Sequence, residues 1–455
     1  MAIRPRRVPV LALAFLLAAC GAQVAAPRPT ESPSPTAQPS ATPRPANAAN
    51  DVLYVRAIGA GGQGSILVID ARTGETKRTF ADGAVSADRS TLYWPESVNG
   101  ATTTLVHVAD LTTGRELRSF SVDGYLKPFT FSGSVYEVTG SRLSQDSRYI
   151  VLTNPPYKNA DQWVTKLVVV ETSSGAVLGA TELRSVSTYG ILALSPDARS
   201  LFLDQFGEGG TRTRFLDVRS GTVGDVPGAA TARNGFRTAA ALSADGRWLY
   251  RVDVGDLLAY TDADGPSLLA VDMVTRRAVK VALPIEQKSW DFEKYMLWSF
   301  AESRDGATLY AINPSLGVID EIDARSLALR RARHITVSRS DAGPLAALAS
   351  RFFGVAEAKR YLVGGAVLSP DGRTLYAVAH DGVSAIDTST LESNGVWMPT
   401  SQFDALAISA DGLRLYGVDN QKGTTTIVDT RSGAKLGELK IPGYIPAILR
   451  IDGAP

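Results

Sequence analysis

The sequence predicts an all-β body closed into a β-propeller of four-stranded blades. Three observations predict it: a turn signature that recurs seven times, a second signature that alternates with it, and intervening runs that are apolar on both faces.

The first signature is Ser-x-Asp between two apolar runs, at Ser86/Asp88, Ser144/Asp146, Ser195/Asp197, Ser243/Asp245, Ser303/Asp305, Ser369/Asp371 and Ser409/Asp411. The second is an acidic residue that closes an apolar run and is followed four positions on by glycine: Asp70/Gly74, Asp110/Gly114, Glu171/Gly175, Asp217/Gly221 and Asp429/Gly433. Copies without the glycine begin at Asp272, Asp323 and Asp387. Both are turn chemistry. Asp and Ser side chains bond to nearby backbone amides, Pro196 and Pro370 preset φ, and glycine accepts the positive φ of a tight hairpin. Runs such as "TLYAVA" (374–379) and "GVSAID" (382–387) are rich in β-branched and aromatic residues. Strands apolar on both faces need cover on both, which blades packed face to face around an axis supply.

With the strands of a blade named a to d, the Ser-x-Asp turn joins a to b and the acidic turn joins c to d. The body opens with b, c and d strands ("VLYVRAI", "SILVID", "ETKRTF") and lacks a preceding a strand. It ends on "YIPAILRIDG" (444–453), which fits that missing strand, so the two termini are expected to share one blade and close the ring. Seven internal turns plus this terminal one make eight blades of about 50 residues, within the usual four to eight. A seven-bladed ring is the alternative if the irregular stretch from 284 to 364 is not a blade. Charges in the d strands ("ETKRTF", "RELRSF", "LRRARHI") blunt the exposed edges against aggregation.

Ahead of the body, Arg4, Arg6 and Arg7 precede an apolar stretch from Val8 to Ala19 that is too short for a comfortable membrane span. It runs into Leu17-Ala18-Ala19-Cys20-Gly21, which resembles the lipobox of bacterial lipoproteins. The resemblance implies a signal peptide over 1–19 and a lipid on Cys20, hence an extracytoplasmic protein anchored to a bacterial membrane. Cys20 is the only cysteine in 455 residues, so no internal disulfide competes for its thiol. From 20 to 50 the chain is rich in Pro, Ser, Thr and Ala, which reads as an extended, disordered tether. At about 3 Å per residue it would hold the body up to about 90 Å from the lipid. Residues 51–455 then form a single domain, expected to be monomeric, and a net charge of +1 argues against a nucleic-acid partner.

Residues 366–398 ("AVLSPDGRTLYAVAHDG" and onward) and 406–441 ("LAISADGLRLYGVDNQKG" and onward) resemble the YVTN-type β-propeller repeats of bacterial and archaeal surface proteins. The wider lactonase-like propeller group is similar too. The resemblance implies the fold over 51–453. It carries no catalytic residue across, because the matched positions are those that build turns and strands.

In a four-stranded meander the a–b and c–d turns lie on one face and the b–c and d–a connections on the other. The long insertions, Asn154–Trp163, Asp253–Pro266, Pro284–Trp298 and Thr336–Gly364, all fall on the second face, where a ligand is expected. The segment "KSWDFEKYMLWSF" (288–300) brings Trp290, Phe292, Tyr295 and Trp298 there, and Trp163 ends the first insertion. These rings suit protein or glycan contact, the competing reading being that they pack beneath the loop. Residues 344–360 carry apolar positions at helical spacing and predict a short capping helix. Asp253, Asp256, Asp262 and Asp264 form a candidate calcium set, set against a plainer reading as solvated turn residues. No other cofactor is expected.

Arg325, Arg330, Arg331, Arg333 and Arg339 read as edge-strand charge. Gly59, Gly61 and Gly64 fit G-x-G-x-x-G, but the following "SILVID" reads as a strand where a dinucleotide site needs a helix. His107 falls in a c strand. His380, beside Asp381 in a b–c loop on the proposed site face, is the histidine to test first as an acid or base, set against a plainer reading in which neither residue is catalytic. The chain is therefore expected to be a cell-envelope lipoprotein whose propeller is a non-catalytic protein- or glycan-binding or scaffold module. The competing readings are a lactonase-like hydrolase with a metal or carboxylates in the central channel, and a scaffold for membrane-protein insertion.

Overall fold

The computed structural model describes residues 50–59, 64–96, 102–126, 142–207, 210–229, 235–256, 265–285, 294–295, 297–335, 365–399, 401–420, 422–441 and 443–453. The leader, Cys20, the tether and the 344–360 segment lie outside them.

Eight four-stranded antiparallel sheets follow one another along the chain. Blade 1 joins β1 (Val52–Ile58), β2 (Gly64–Asp70) and β3 (Thr76–Ala81) to the terminal β32 (Tyr444–Asp452). Blade 2 holds β4 (Ala84–Val85), β5 (Thr91–Glu96), β6 (Thr103–Asp110) and β7 (Glu116–Asp123). Blade 3 holds β8 (Tyr149–Thr153), β10 (Gln162–Glu171) and β11 (Val177–Ser185), with β9 (Tyr157–Asn159) folded back on β10. Its innermost position is marked by a bridge from Leu143 to Ile150. Blade 4 holds β12 (Thr188–Leu194), β13 (Ser200–Gly207), β14 (Gly210–Asp217) and β15 (Val223–Asp225); blade 5 holds β16 (Gly235–Leu242), β17 (Trp248–Asp256), β18 (Ser267–Asp272) and β19 (Arg277–Ala282). Blade 6 holds β20 (Ser299–Glu302), β21 (Thr308–Asn313), β22 (Val318–Asp323) and β23 (Leu329–His334). Blade 7 holds β24 (Ala366–Leu368), β25 (Thr374–Val378), β26 (Val383–Asp387) and β27 (Ser393–Trp397); blade 8 holds β28 (Ala405–Ile408), β29 (Arg414–Asp419), β30 (Thr424–Asp429) and β31 (Lys435–Lys440). The stretch from 284 to 364 contributes a complete blade, which sets the seven-bladed alternative aside.

Each turn signature performs the same local chemistry at every copy. In all seven Ser-x-Asp turns the serine hydroxyl donates to the aspartate at 2.5–2.8 Å. The same oxygen accepts the amide five residues on, which belongs to the first residue of the b strand, at 2.9–3.1 Å. The serine hydrogen bond holds the Asp88, Asp305 and Asp371 carboxyls below their usual range.

At the c–d turns Gly74, Gly114, Gly175, Gly221 and Gly433 adopt φ of 70–77°. Where the glycine is missing the backbone does the same, with Arg276, Leu327 and Leu391 at φ of 57–59°. Left-handed backbone costs a non-glycine residue roughly 1–2 kcal/mol. Each of these three side chains offsets that cost by reaching the preceding blade. Leu327 and Leu391 are buried in the seams with blades 5 and 6. The Arg276 guanidinium bonds to Ser200 and Asp217 of blade 4 and lies over Phe215.

Apolar side chains from both faces of the b and c strands gather into eight clusters, one at each seam between neighbouring blades. The d strands are largely exposed, and their charges are tied down: Arg330 pairs with Asp323, while Arg331 pairs with Glu321 and bonds to Ser389 O of blade 7 at 2.6 Å.

The ring closes as the terminal strands predict. β1 pairs antiparallel with β32, Val52 opposite Asp452 and Ile58 opposite Tyr444. Just ahead of β1, the buried Asp51 carboxylate accepts from Arg414 Nε at 2.7 Å, Arg414 Nη2 at 3.1 Å and the Tyr416 hydroxyl at 2.5 Å. Burial and Asp51 together push the Tyr416 phenol far above its usual value. Asp51→Ala leaves a buried guanidinium without this partner, so denaturant unfolding should show a loss of about 3–5 kcal/mol. A loss within about 0.5 kcal/mol, the range of ordinary surface substitutions, would show that the clamp does not hold the closing blade.

Candidate functional site

The two ends of the ring are built differently. On the turn face the a–b turns, which follow the innermost strands, pack on one another. Gln145 Nε2 in the blade 3 turn donates to Ala244 O in the blade 5 turn at 2.9 Å. A Cβ on Gly246 would sit 2.5 Å from Gln145 Cβ and 3.6 Å from Pro196, the turn of the blade between them. Glu302, at the start of the blade 6 turn, accepts Ala244 N at 2.7 Å. The turns of four successive blades thus converge at this end.

At the opposite face the b strands end and the c strands begin, and just inside it lies a belt of buried polar side chains. Asp204 of β13 pairs with Arg251 of β17 across the seam of blades 4 and 5, each side chain 2% exposed, and accepts Thr213 Oγ1 at 3.1 Å. Asp253 pairs with Lys280 at 3.0 Å, and Asp419 with Lys422 at 2.8 Å. Asp404 accepts Asn420 N at 2.7 Å. Asn313, fully buried at the end of β21, caps the 3₁₀ turn Pro314–Leu316 and donates to Lys294 O at 2.7 Å. These groups anchor loop ends to rigid strands, so loop positions are set by the scaffold.

Trp298 is fully buried and Tyr295 is 1% exposed, both packed with Tyr250, Val252 and Leu309 in the seam of blades 5 and 6. The structure thus places these two rings in the core rather than on display, because they immediately precede β20 and pack between the blades that flank its seam. Trp290 and Phe292 lie outside the described residues. Trp163 is half-buried at the start of β10, where it faces Lys158 of the β9 hairpin. Tyr157 on that hairpin is 49% exposed and is an aromatic that sequence reasoning did not single out.

Asp253 is committed to Lys280 rather than turned out as one of a set of carboxylates. Asp262 and Asp264 lie outside the described residues, as does the side chain of Asp256. No cluster of three or more metal-ligating side chains occurs among the described residues.

His380 and Asp381 are exposed in the b–c loop of blade 7. The His380 amide is fixed by Ser315 Oγ of blade 6 at 2.9 Å, and neither side chain meets a hydrogen-bond partner among the described residues. His107 lies in β6, as its c-strand position predicts. It stacks on Trp94 with ring centroids 4.8 Å apart, and its Nε2 lies 2.9 Å from Glu96 Oε2. Gly64 opens strand β2, so the glycine triplet precedes a strand and no phosphate-binding helix.

The chain matches no family model and no curated relative. Among solved structures it is similar to apo AztD from Citrobacter koseri, at 12% identity and TM-score 0.48 over 89% of this chain and 98% of that one. It is also similar to dihydro-heme d1 dehydrogenase NirN in complex with DHE, at 16% identity and TM-score 0.47 over 90% and 77%. A candidate 6-phosphogluconolactonase from Bacteroides uniformis matches at 15% and 0.41 over 80% and 98%. At these levels the likeness says nothing of ligand or reaction.

The two aromatic positions separate in a stability assay. Trp298→Ala should lower unfolding stability by about 3–5 kcal/mol, as for other buried aromatics. Trp163→Ala should cost no more than about 1 kcal/mol, so that any loss of binding in this variant reports contact. Equal costs at the two positions would contradict their different burial.

Proposed function

We propose that the chain is a cell-envelope lipoprotein whose propeller is a non-catalytic binding or scaffold module, engaging a protein or glycan through its loop face. The observation that carries this reading is the contrast between the ends of the ring. One end is finished by short, repeated turns packed on each other. The other bears loops of unequal length on a belt of buried polar anchors. A rigid scaffold that varies only its loops on one face is the usual way a fold presents a binding surface. The anchor on Cys20 and the tether over 20–50 complete the proposal: lipid fixes the chain to the membrane and the spacer carries the loop face away from it.

A photo-crosslinking residue placed at His380 or Asp381 on the loop face, in the full chain expressed in its own cells, should give discrete adducts. The same residue at Arg373, exposed on the turn face, should give none. Adducts of equal yield from both faces would remove the loop-face reading. Turnover of a lactone panel by the purified protein, abolished by a chelator, would replace it with the hydrolase. Cys20→Ser should move the protein from the membrane fraction to the soluble one, and unchanged fractionation would refute the lipid anchor.

A further inference from the structure

Three residues before the acidic residue of each c–d turn, the c strand directs a side chain toward the preceding blade. In blades 1, 3 and 5 it is Leu67, Val168 or Leu269, each part of the apolar seam. Blades 2 and 4 have ionisable groups there, and both are partnered: His107 by Glu96, and Arg214 by Asp225 at 2.9 Å. Blades 7 and 8 have the hydroxyls of Ser384 and Thr426. Blade 6 has Asp320. It is 0% exposed, and neither carboxyl oxygen meets a hydrogen-bond partner among the described residues.

Its surroundings are largely apolar, although the Tyr250 hydroxyl and Trp298 Nε1 of the same seam are also buried with no hydrogen-bond partner among the described residues. Phe300 and Ala311 stand abreast of it in the sheet, and Val318 and Ile322 flank it on the same face of β22. Together they pack against Tyr250, Val252 and Leu268 of blade 5. The charges of the neighbouring elements are engaged elsewhere: Lys280 with Asp253, Arg247 with Asp272, Arg330 with Asp323 and Arg331 with Glu321. Tyr250 and Glu302 belong to the turn-face end of this seam, Lys294 and Tyr295 to its loop-face end.

We propose that Asp320 makes the seam between blades 5 and 6 a pH-responsive joint, closed while the carboxyl holds its proton and loosened when the proton leaves. An ionised carboxylate in this position has neither a counter-ion nor a donor among the described residues, so it is stabilised only if the blades part enough to admit water. The neutral acid is tolerated there, and burial pushes its pKa up to about 8. An unfolded chain loses the same proton near pH ~4. Between these values the native state holds a proton that the unfolded state has released, so stability falls as pH rises from about 4 to about 8 and is level above that. The same seam holds Tyr295 and Trp298 at the entry to β20, so its opening would be felt on the loop face.

The test compares the full chain with Asp320→Leu, which copies blades 1 and 5, and with Asp320→Asn, in denaturant unfolding from about pH 4 to 10. Relative to Asp320→Leu, the wild type should lose up to about tenfold in folding equilibrium constant per pH unit between about pH 4 and 8, and run parallel above. Amide exchange in β18 and β22, corrected for its intrinsic rise, should quicken above about pH 8 in the wild type alone. Parallel profiles through pH 4–8, or a slope that persists in both variants, would overturn the proposal. If neither variant folds, the wild-type exchange decides by itself: protection in β18 and β22 unchanged across pH 8 sinks the joint.

Discussion

The ring is held shut by a pairing between strands from opposite ends of the chain, and the Asp51 carboxylate, clamped by Arg414 and Tyr416 at a sequence separation of more than 360, fixes where that pairing begins. Every other feature depends on this closure. Each blade is apolar on both faces, and the eight seam clusters form an unbroken cycle, so a gap at one seam would expose two hydrophobic faces at once. Joining ends so far apart costs less than the distance suggests, since closure entropy grows only with the logarithm of loop length. A buried, hydrogen-bonded ion pair at the meeting point gives the closure a unique register, which apolar packing alone specifies poorly.

What could be read from the sequence, and what could not, divides along the range of the interactions. The Ser-x-Asp and acidic turns are legible because all their bonds fall within five residues, so spacing alone reveals them. Counting them gave the blade number, and the unpaired b strand at Val52–Ile58 demanded the terminal partner it has. The glycine-free copies at Asp272, Asp323 and Asp387 read as weaker turns, yet they keep the same backbone, because Arg276, Leu327 and Leu391 draw compensation from another blade. That compensation leaves no local signature. The Asp204–Arg251 pair is equally silent, its members 47 residues apart on strands that meet only across a seam. Trp298 shows an ambiguity of another kind: a cluster of aromatics in an insertion fits either display or packing beneath the loop, and the fold uses Tyr295 and Trp298 as core.

Polar groups inside the ring fall into two kinds. At the loop-face ends of the strands they are paired and serve as anchors, Asn313 and Asp404 holding loop backbone, Asp253 and Asp419 holding lysines. In the middle of a strand, at a position that is aliphatic in blades 1, 3 and 5, the Asp320 carboxyl is buried with no hydrogen-bond partner among the described residues. Local consistency across repeats makes such a departure conspicuous, and a departure without structural compensation is where selection for something other than stability is expected to act.

Both chain ends enter the same blade, and β1 lies inside it, with β2 on one side and β32 on the other. Tension arriving through residue 50 therefore meets no free edge strand that could be peeled away one bond at a time. It loads two hydrogen-bonded ladders together with the Asp51 clamp, all within a few residues of the point of attachment. Drag or pulling on the ring through residue 50 is borne first by this doubly paired and clamped segment, so the body resists unravelling from that end.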